Sequence, residues 1–403
     1  MKRWPIKPLG QVCAINPKPA ASEVPAATTE VTFVPMAAVD ETTGTIARPE
    51  IRQYSQVSKG YTPFQDDDVL LAKITPCMQN GKAAIARALR GGLGFGSTEF
   101  HILRPNAGLL PEWVFAFIRQ PSFRSAAEAN LTGSAGQKRV PTDFLRSLAI
   151  PIPPLPEQER IVRLLDEADQ LRKLRSEADR RTAALLPALF TRVFGDPTHI
   201  ERMRWSLKPL GEFAEVSYGL ADKLDSTTKP VNGTRILTIS NVLLQGTIET
   251  KVEKYSIAQP EERQKARLRK FDLLFNWRNG SEEHVGKTAI WEEQFEGEVL
   301  HVSFLLKIRS DQRQANPYFL WALINRLRAT GYFTRNARMQ INRKFNASEL
   351  SALKLPLPPL PVQDEFAQQV IQIREFEAAQ ATSRSRLDDL FQSMLHRAFN
   401  GDL

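Results

Sequence analysis

Gln79, Asn80, Asn276, Arg278 and Asn279 stand in two short segments built for recognition more than for bond making. The first segment reads Lys73-Ile-Thr-Pro-Cys-Met-Gln-Asn80 and the second Asn276-Trp-Arg-Asn-Gly-Ser-Glu-Glu-His-Val285. Glutamine and asparagine can pair bidentately with adenine, and arginine with guanine. Lys73 opens the first segment, while Lys82 and Lys287, each after a glycine, are assigned to phosphate. A second pair of segments mixes small, amide and basic residues: Gly133-Ser-Ala-Gly-Gln-Lys-Arg-Val140 and Ala337-Arg-Met-Gln-Ile-Asn-Arg-Lys344. Such mixtures suit close approach to a groove and its phosphates. Gln137, Lys138, Arg139, Arg338, Gln340, Asn342, Arg343 and Lys344 join the candidates on that ground. A polar surface turn is the alternative reading for every one of them.

Catalytic chemistry is harder to find. Gly92-Leu-Gly-Phe-Gly96 has the glycine spacing of a nucleotide loop, but the apolar run Phe100–Leu103 follows it where a phosphate-binding helix is required. Asn316-Pro-Tyr-Phe319 lacks the second proline of an amine-methylating element and opens a helical pattern. Asp66-Asp67-Asp68 would alternate faces on a strand, so at most two could converge on one ion. It reads as a turn entering a strand. The dense basic run Arg263-Gln-Lys-Ala-Arg-Leu-Arg-Lys270 is weighed toward a solvated face, with phosphate contact as the alternative. No catalytic residue and no metal ligand is assigned.

The elements that position these loops are written twice. Trp4-Pro-Ile-Lys-Pro-Leu-Gly10 returns as Trp205-Ser-Leu-Lys-Pro-Leu-Gly211, and Asp68-Val-Leu-Leu71 as Asp272-Leu-Leu-Phe275. Gly81-Lys82 matches Gly286-Lys287, and Phe100-His-Ile-Leu is aligned with Phe304-Leu-Leu-Lys. Pro151-Ile-Pro-Pro-Leu-Pro-Glu-Gln158 returns as Pro356-Leu-Pro-Pro-Leu-Pro-Val-Gln363. Arg192-Val-Phe-Gly-Asp196 returns as Arg397-Ala-Phe-Asn-Gly-Asp402. Landmarks kept in order at one spacing mean an internal duplication, with a unit far longer than a solenoid repeat.

Within each half, short apolar runs such as Val69–Ile74, Ala83–Ala86, Arg235–Ile239 and Val299–Ile308 alternate with Gly, Pro and Asn, the pattern of strands. One helix opens at Pro111 and its counterpart at Pro317. The proline segments must be extended, stiff elbows, with a helix opening at the last proline. Behind them, apolar residues fall on three- and four-residue steps. They are Ile161, Leu164, Ala168, Leu171, Ala178, Leu185 and Leu189, then Phe366, Val370, Ile373, Leu387, Phe391, Met394 and Ala398. That is a coiled-coil seam, and antiparallel pairing of the two helices buries it. Pro187 is expected to kink the first helix. The fold class is α+β: a two-fold repeat of a mixed, mostly β domain, each followed by a long helix. The boundaries are 1–155 and 204–360 for the domains, 156–203 and 361–403 for the helices.

Bulk properties agree. The formal charge of +9 favours an anionic partner, nucleic acid first. Two cysteines, Cys13 and Cys77, make no disulfide framework or zinc spacing. The basic start lacks a signal-peptide core, and no apolar run approaches membrane-spanning length, so the cytoplasm is expected.

In this order the motifs resemble the specificity subunit of type I restriction–modification systems, across essentially the whole chain. The resemblance implies two target recognition domains, each reading half of a split double-stranded DNA site. It implies that the paired helices set the spacer and dock two modification (methyltransferase) subunits, with restriction subunits as further partners. It implies no catalysis and no cofactor in this chain, S-adenosylmethionine residing in the partners. The rivals are a self-contained DNA adenine methyltransferase and a scaffold with no DNA role. The chain departs from the family's Gly-Asp before the Asp-Leu-Leu strand, where it has Asp67-Asp68 and Phe271-Asp272.

Overall fold

In the computed structural model, residues 4–19, 25–134, 136–221, 228–279, 281–336 and 345–403 are described. The chain divides into two compact units, Met1–Ala178 with Gln380–Leu403, and Asp179–Ala379.

The first unit opens with Ile6–Pro8, which pairs antiparallel with Ala149–Pro151 just before the elbow. The Lys-Pro-Leu-Gly motif thus brings the domain's two ends together. Its prolines sit on a two-stranded edge where missing N–H groups are tolerated. One antiparallel sheet runs Cys13–Ile15, Phe100–Pro105, Val69–Ala72, Ala83–Ile85. The other runs Glu50–Gln53, Glu30–Val34, Leu93–Gly96, Thr62–Gln65, with Leu93–Gly96 parallel to Glu30–Val34. Val69–Ala72 is buried at every position, which is why it reads as a continuous apolar run and not an alternating one.

The second unit repeats the plan. Leu207–Pro209 pairs with Lys354–Pro356, and a four-stranded sheet runs Ala214–Tyr218, Leu305–Ser310, Leu273–Asn276, Thr288–Ile290. The remaining sheet has three strands, Tyr255–Ser256, Thr234–Leu237 and Val299–His301, again with one parallel pair. The apolar run Val299–Ile308 is therefore two strands in two sheets, divided at Val302–Phe304. Leu103 lies opposite Val69, and Ile308 opposite Leu273. That register aligns Phe100 with Leu305, one residue later than the sequence match with Phe304.

Asp68 and Asp272 anchor the matching strands. Each is almost fully buried and accepts two hydrogen bonds from an arginine on the neighbouring strand, Arg104 at 2.8 and 2.7 Å and Arg309 at 2.7 and 2.7 Å. The residues before them, Asp67 and Phe271, both have φ +72°. Glycine adopts that left-handed backbone without strain. Asp67 and Phe271 hold it at some cost in strain.

Each unit is completed by helices from both halves. In the first, Ile161, Val162, Leu165 and Ala168 of the helix Leu155–Ala183 share a core with Trp113 and with Phe391, Leu395 and Ala398 of the helix Leu360–Asn400. Phe399 lies 4.4 Å from the Trp113 ring, and Arg172 donates to Asp388 at 2.7 Å. In the second unit, Leu189, Phe190 and Phe194 share the core with Phe319, Phe366 and Val370. There Phe194 lies 4.8 Å from Phe319 and 4.9 Å from Phe366. The beginning of one helix meets the end of the other in both units, so the pairing is antiparallel.

Two expectations change in detail, and the expected interruption by Pro187 holds. The first helix begins at Leu155, placing Pro156 inside its first turn, and the extended piece is shorter than six residues. The helix breaks at Ala184, since Pro187 can neither donate to the Ala183 carbonyl nor avoid it. Leu171 and Leu185, assigned to the seam, are 53% and 47% exposed, while Leu165, Phe190, Phe194 and Leu395 are buried. The buried face turns toward the domain as well as the partner helix, so a narrow heptad stripe does not describe it.

Two stability measurements follow. Asp272→Ala or Asp68→Ala should cost about 3 kcal/mol in denaturant unfolding, because an arginine loses its partner beside the core. In the second unit, burial pushes the His301 imidazole down to about 3. The unfolded histidine, near 6.5, takes up a proton first, so stability falls as pH drops from about 6.5 toward 3. The slope is about 1.4 kcal/mol per pH unit, and His301→Asn should remove that contribution.

Candidate nucleic-acid interface

In the first unit the two candidate loops are brought together. Thr132 and Arg139 exchange backbone hydrogen bonds at 3.0 and 2.8 Å, closing a hairpin whose tip holds Gln137 and Lys138. Gly133 opens it with φ +122°, and a Cβ there would stand 2.9 Å from the Gln137 carbonyl oxygen. The hairpin lies along the loop after Val69–Ala72. Thr75 N–H donates to Lys138 O at 3.0 Å, and Val140 N–H donates to Lys73 O at 2.9 Å. The Met78 side chain is buried, and the turn built on it leaves Gln79 and Asn80 exposed. Gln137 and Lys138 are exposed beside them.

Three residues that sequence reasoning missed hold this pair of loops. Glu99 grips the Arg139 guanidinium at both ends, at 2.9 and 2.7 Å, and that contact lowers the Glu99 carboxylate below its usual range. His101, buried, donates from Nε2 to the Val140 carbonyl at 2.8 Å and accepts at Nδ1 from the Asn16 amide at 3.1 Å. Those partners fix a neutral tautomer, and burial lowers its pKa further. Glu99 and Asn16 fall outside the repeat landmarks and His101 lies in one only as part of an apolar strand; the strand register places Phe304, Leu306 and Ser217 at the three positions in the second half, so none of these residue types recurs. Arg139 is thus a strut between the hairpin and Glu99. Lys73 takes part through its backbone and is half-buried.

In the second unit Asn276 is fully buried at the end of its strand, and its Nδ2 donates to His284 O at 3.1 Å. It shapes the loop from inside, which removes it from the exposed base-reading candidates. Trp277 follows, its Nε1 donating to Ser303 O at 2.7 Å. Arg278 is exposed, with its guanidinium 5.0 Å from the Phe304 ring. Asn279 is half-buried and accepts from Ser281 N–H at 3.0 Å. Arg338, Gln340, Asn342, Arg343 and Lys344 lie outside the described residues. Phe345, next in sequence, donates its N–H to Trp277 O at 2.8 Å. By the strand register this is the bond between Val140 and Lys73. The same backbone contact therefore recurs in each half, at Val140 and at Phe345.

The Gly-Lys lysines also match, but not as phosphate contacts. Lys82 donates to Met36 O at 3.3 Å and pairs with Glu41 at 3.2 Å. Lys287 is buried and donates to Ile239 O at 3.0 Å, and burial lowers its pKa. Each tethers its loop to the short 3-10 turn of the other sheet, Met36–Ala38 or Ile239–Asn241. An ammonium held that way has little left for an outside anion.

The catalytic decoys resolve as packing. Gly94 and Gly96 lie in a strand where a Cβ would collide with the Phe64 ring at the first and with the Val34 carbonyl oxygen at the second. Asn316 caps the helix Pro317–Ala329, accepting from Tyr318 N–H at 2.9 Å. Asp66 and Asp67 form the turn into the strand. Among the described residues, no group of three or more His, Cys, Asp or Glu could hold a metal ion. Also among them, no helix is long and apolar enough to cross a membrane. In the basic run, Arg263 pairs with Glu298, and the Lys265 and Ala266 carbonyls accept from Lys307 and His301 at 2.8 and 2.7 Å. Lys265, Arg267, Arg269 and Lys270 face solvent.

The sequence model of the family described as type I restriction modification DNA specificity domain matches twice, over residues 1–181 and 203–377. The chain belongs to that family. It is 42% identical over 173 residues to the type I restriction enzyme EcoEI specificity subunit of Escherichia coli, and 39% identical to the EcoAI specificity subunit. Each of those matches covers 42% of this chain and 29% of the relative's length. The EcoKI specificity subunit of Escherichia coli is 23% identical over 75% of this chain and 68% of its own. Two solved structures share the fold. One is a chain from a study of complex assembly and conformational transition of the type I R-M system, with TM-score 0.61, 22% identity, and coverage of 100% of this chain and 98% of that one. The other is the type I restriction-modification S subunit from M. genitalium, with TM-score 0.53, 13% identity and coverage of 98% and 96%.

These placements predict separable effects on DNA binding. Lys138→Ala should weaken binding and reduce the slope of log affinity against log salt by about 1. Lys287→Met should lower the melting temperature and leave that slope unchanged. A filter-binding salt titration with thermal melts distinguishes them.

Proposed function

We propose that this chain is the DNA-reading, non-catalytic subunit of a type I restriction–modification complex, each unit recognising one half of a split double-stranded site. The observation that carries this reading is the matched backbone bond. Lys73 with Val140, and Trp277 with Phe345, tie the chain to the segment after the matching strand at the same place in each half, while the residue types of the segments beside these bonds differ. A common frame holding different amide and basic side chains is what two unlike half-sites require. Gln79, Asn80, Gln137, Lys138 and Arg278 are the exposed candidates for contact; Arg338, Gln340, Asn342, Arg343 and Lys344, outside the described residues, stand as candidates on sequence alone.

The paired helices act as spacer and dock. Thirty-odd helical residues rise roughly 50 Å, about 15 base pairs at ~3.4 Å each. Large apolar side chains remain exposed on these helices: Leu171, Leu174 and Leu390 in the first unit, Leu185, Ile371 and Phe376 in the second. In the second unit a groove of about 420 Å³ is lined by Leu185, Leu189, Ile373 and Phe376. Exposed apolar surface of this kind favours a protein partner, here the modification subunits, which bring S-adenosylmethionine and methylate adenine. The packed glycines at 94 and 96 count against a methyltransferase contained in this chain, and the exposed basic loops count against a scaffold indifferent to DNA.

Methylome sequencing of cells carrying the chain with and without its modification subunits tests this. A split adenine-methylated motif should appear only with both. Replacing residues 1–150 by another recognition domain should change one half of that motif. Loss of both halves, or no motif at all, would overturn the reading.

A further inference from the structure

Gln158 and Gln363 are fully buried, and each spends its whole amide on backbone. Gln158 accepts from Leu110 N–H at 2.9 Å and donates to Gly108 O and Pro153 O, both at 2.9 Å. Gln363 accepts from Asn316 N–H at 2.9 Å and donates to Gln314 O at 3.0 Å and Pro358 O at 2.7 Å. One side chain in the first turns of the long helix thereby ties three pieces together: the helix, the proline elbow, and the turn leading into the domain's own helix.

That turn follows the strand that supports the reading loops. In the first unit Phe100–Pro105 carries His101, with Glu99 at its start, and runs on to Gly108–Leu110. In the second, Leu305–Ser310 begins next to Ser303, which accepts from Trp277, and runs on to Gln314–Asn316. From helix to reading loop the path is one hydrogen-bonded strand with a glutamine lock at its far end. The elbow alone would not fix the direction. Prolines stiffen the elbow itself but not its junctions with the helix and the domain, whereas three hydrogen bonds to groups on two segments define an orientation.

We propose that Gln158 and Gln363 are positioning residues for spacer length, setting how strictly the complex demands one gap between half-sites without touching DNA. The inference rests on the reading above. A residue that only stabilised its domain would, when lost, degrade the half-site read by that domain. A residue that sets the angle of domain to helix would loosen the gap, and the lock in either half would loosen the same gap.

The test uses the full chain with its modification subunits, methylating a library in which the half-sites are held and the spacer varied. A second library holds the spacer and randomises each half-site. Gln158→Met and Gln363→Met keep the side chain's length and remove its hydrogen bonds. Each should reduce the preference for the wild-type spacer over spacers one base pair longer or shorter by about tenfold, the scale of one lost buried hydrogen bond. Both half-site sequences should stay as in the wild type. Should the Met variants fail to accumulate, Gln158→Asn and Gln363→Asn, whose shorter amides cannot span all three groups, carry the same expectation. An unchanged spacer profile, or a change confined to the half-site of the altered domain, overturns the proposal. A wild-type chain that yields no split motif instead overturns the reading on which it rests.

Discussion

Neither recognition domain can close its hydrophobic core with its own residues. Trp113 in the first unit and Phe319 in the second are each covered by an aromatic ring at the end of a helix from the other half, Phe399 and Phe194. Removing ring-sized apolar surface from water is among the larger single contributions a core can make, roughly 1.5–3 kcal/mol for a fully buried side chain. The exchange is therefore an energetic requirement, and it dictates antiparallel helices. It also explains the Phe-Gly-Asp and Phe-Asn-Gly-Asp endings, which look like unrelated tails until their destination is known.

The remaining framework protects that arrangement from the polar groups it has to bury. Four of the recurring sequence landmarks answer a backbone or charge problem. The Lys-Pro-Leu-Gly strands join each domain's two ends. Asp68 and Asp272 meet an arginine across the sheet. Lys82 and Lys287 satisfy a carbonyl in a 3-10 turn. Gln158 and Gln363 satisfy the groups that the elbow prolines leave open. Buried polar groups are costly unless paired, so these positions admit few substitutes, and the same residue types stand in both halves. The loops carry no such obligation and diverge.

That contrast also accounts for what was misread. Lys82 and Lys287 were assigned to phosphate because a lysine after glycine near a loop has the chemistry for it. Only the fold shows that the ammonium turns inward. Asn276 was taken for a base reader for its amide, which is instead held by its own loop. In the opposite direction, Glu99, His101 and Asn16 were invisible, since their work depends on loops more than thirty residues away along the chain.

By itself the sequence determined the duplication, the order of domain, elbow and helix, the antiparallel pairing and the break near Pro187. Those features follow from local rules: proline geometry, apolar spacing and the repetition of residue types. Tertiary structure alone decided which polar residues face inward, where the ten-residue run Val299–Ile308 divides between two sheets, and which helix end closes which core. The physical reason is that a side chain's chemistry is written in its residue type. Its partner is not, because partners are set by strand register and by helices that meet only after the chain has folded.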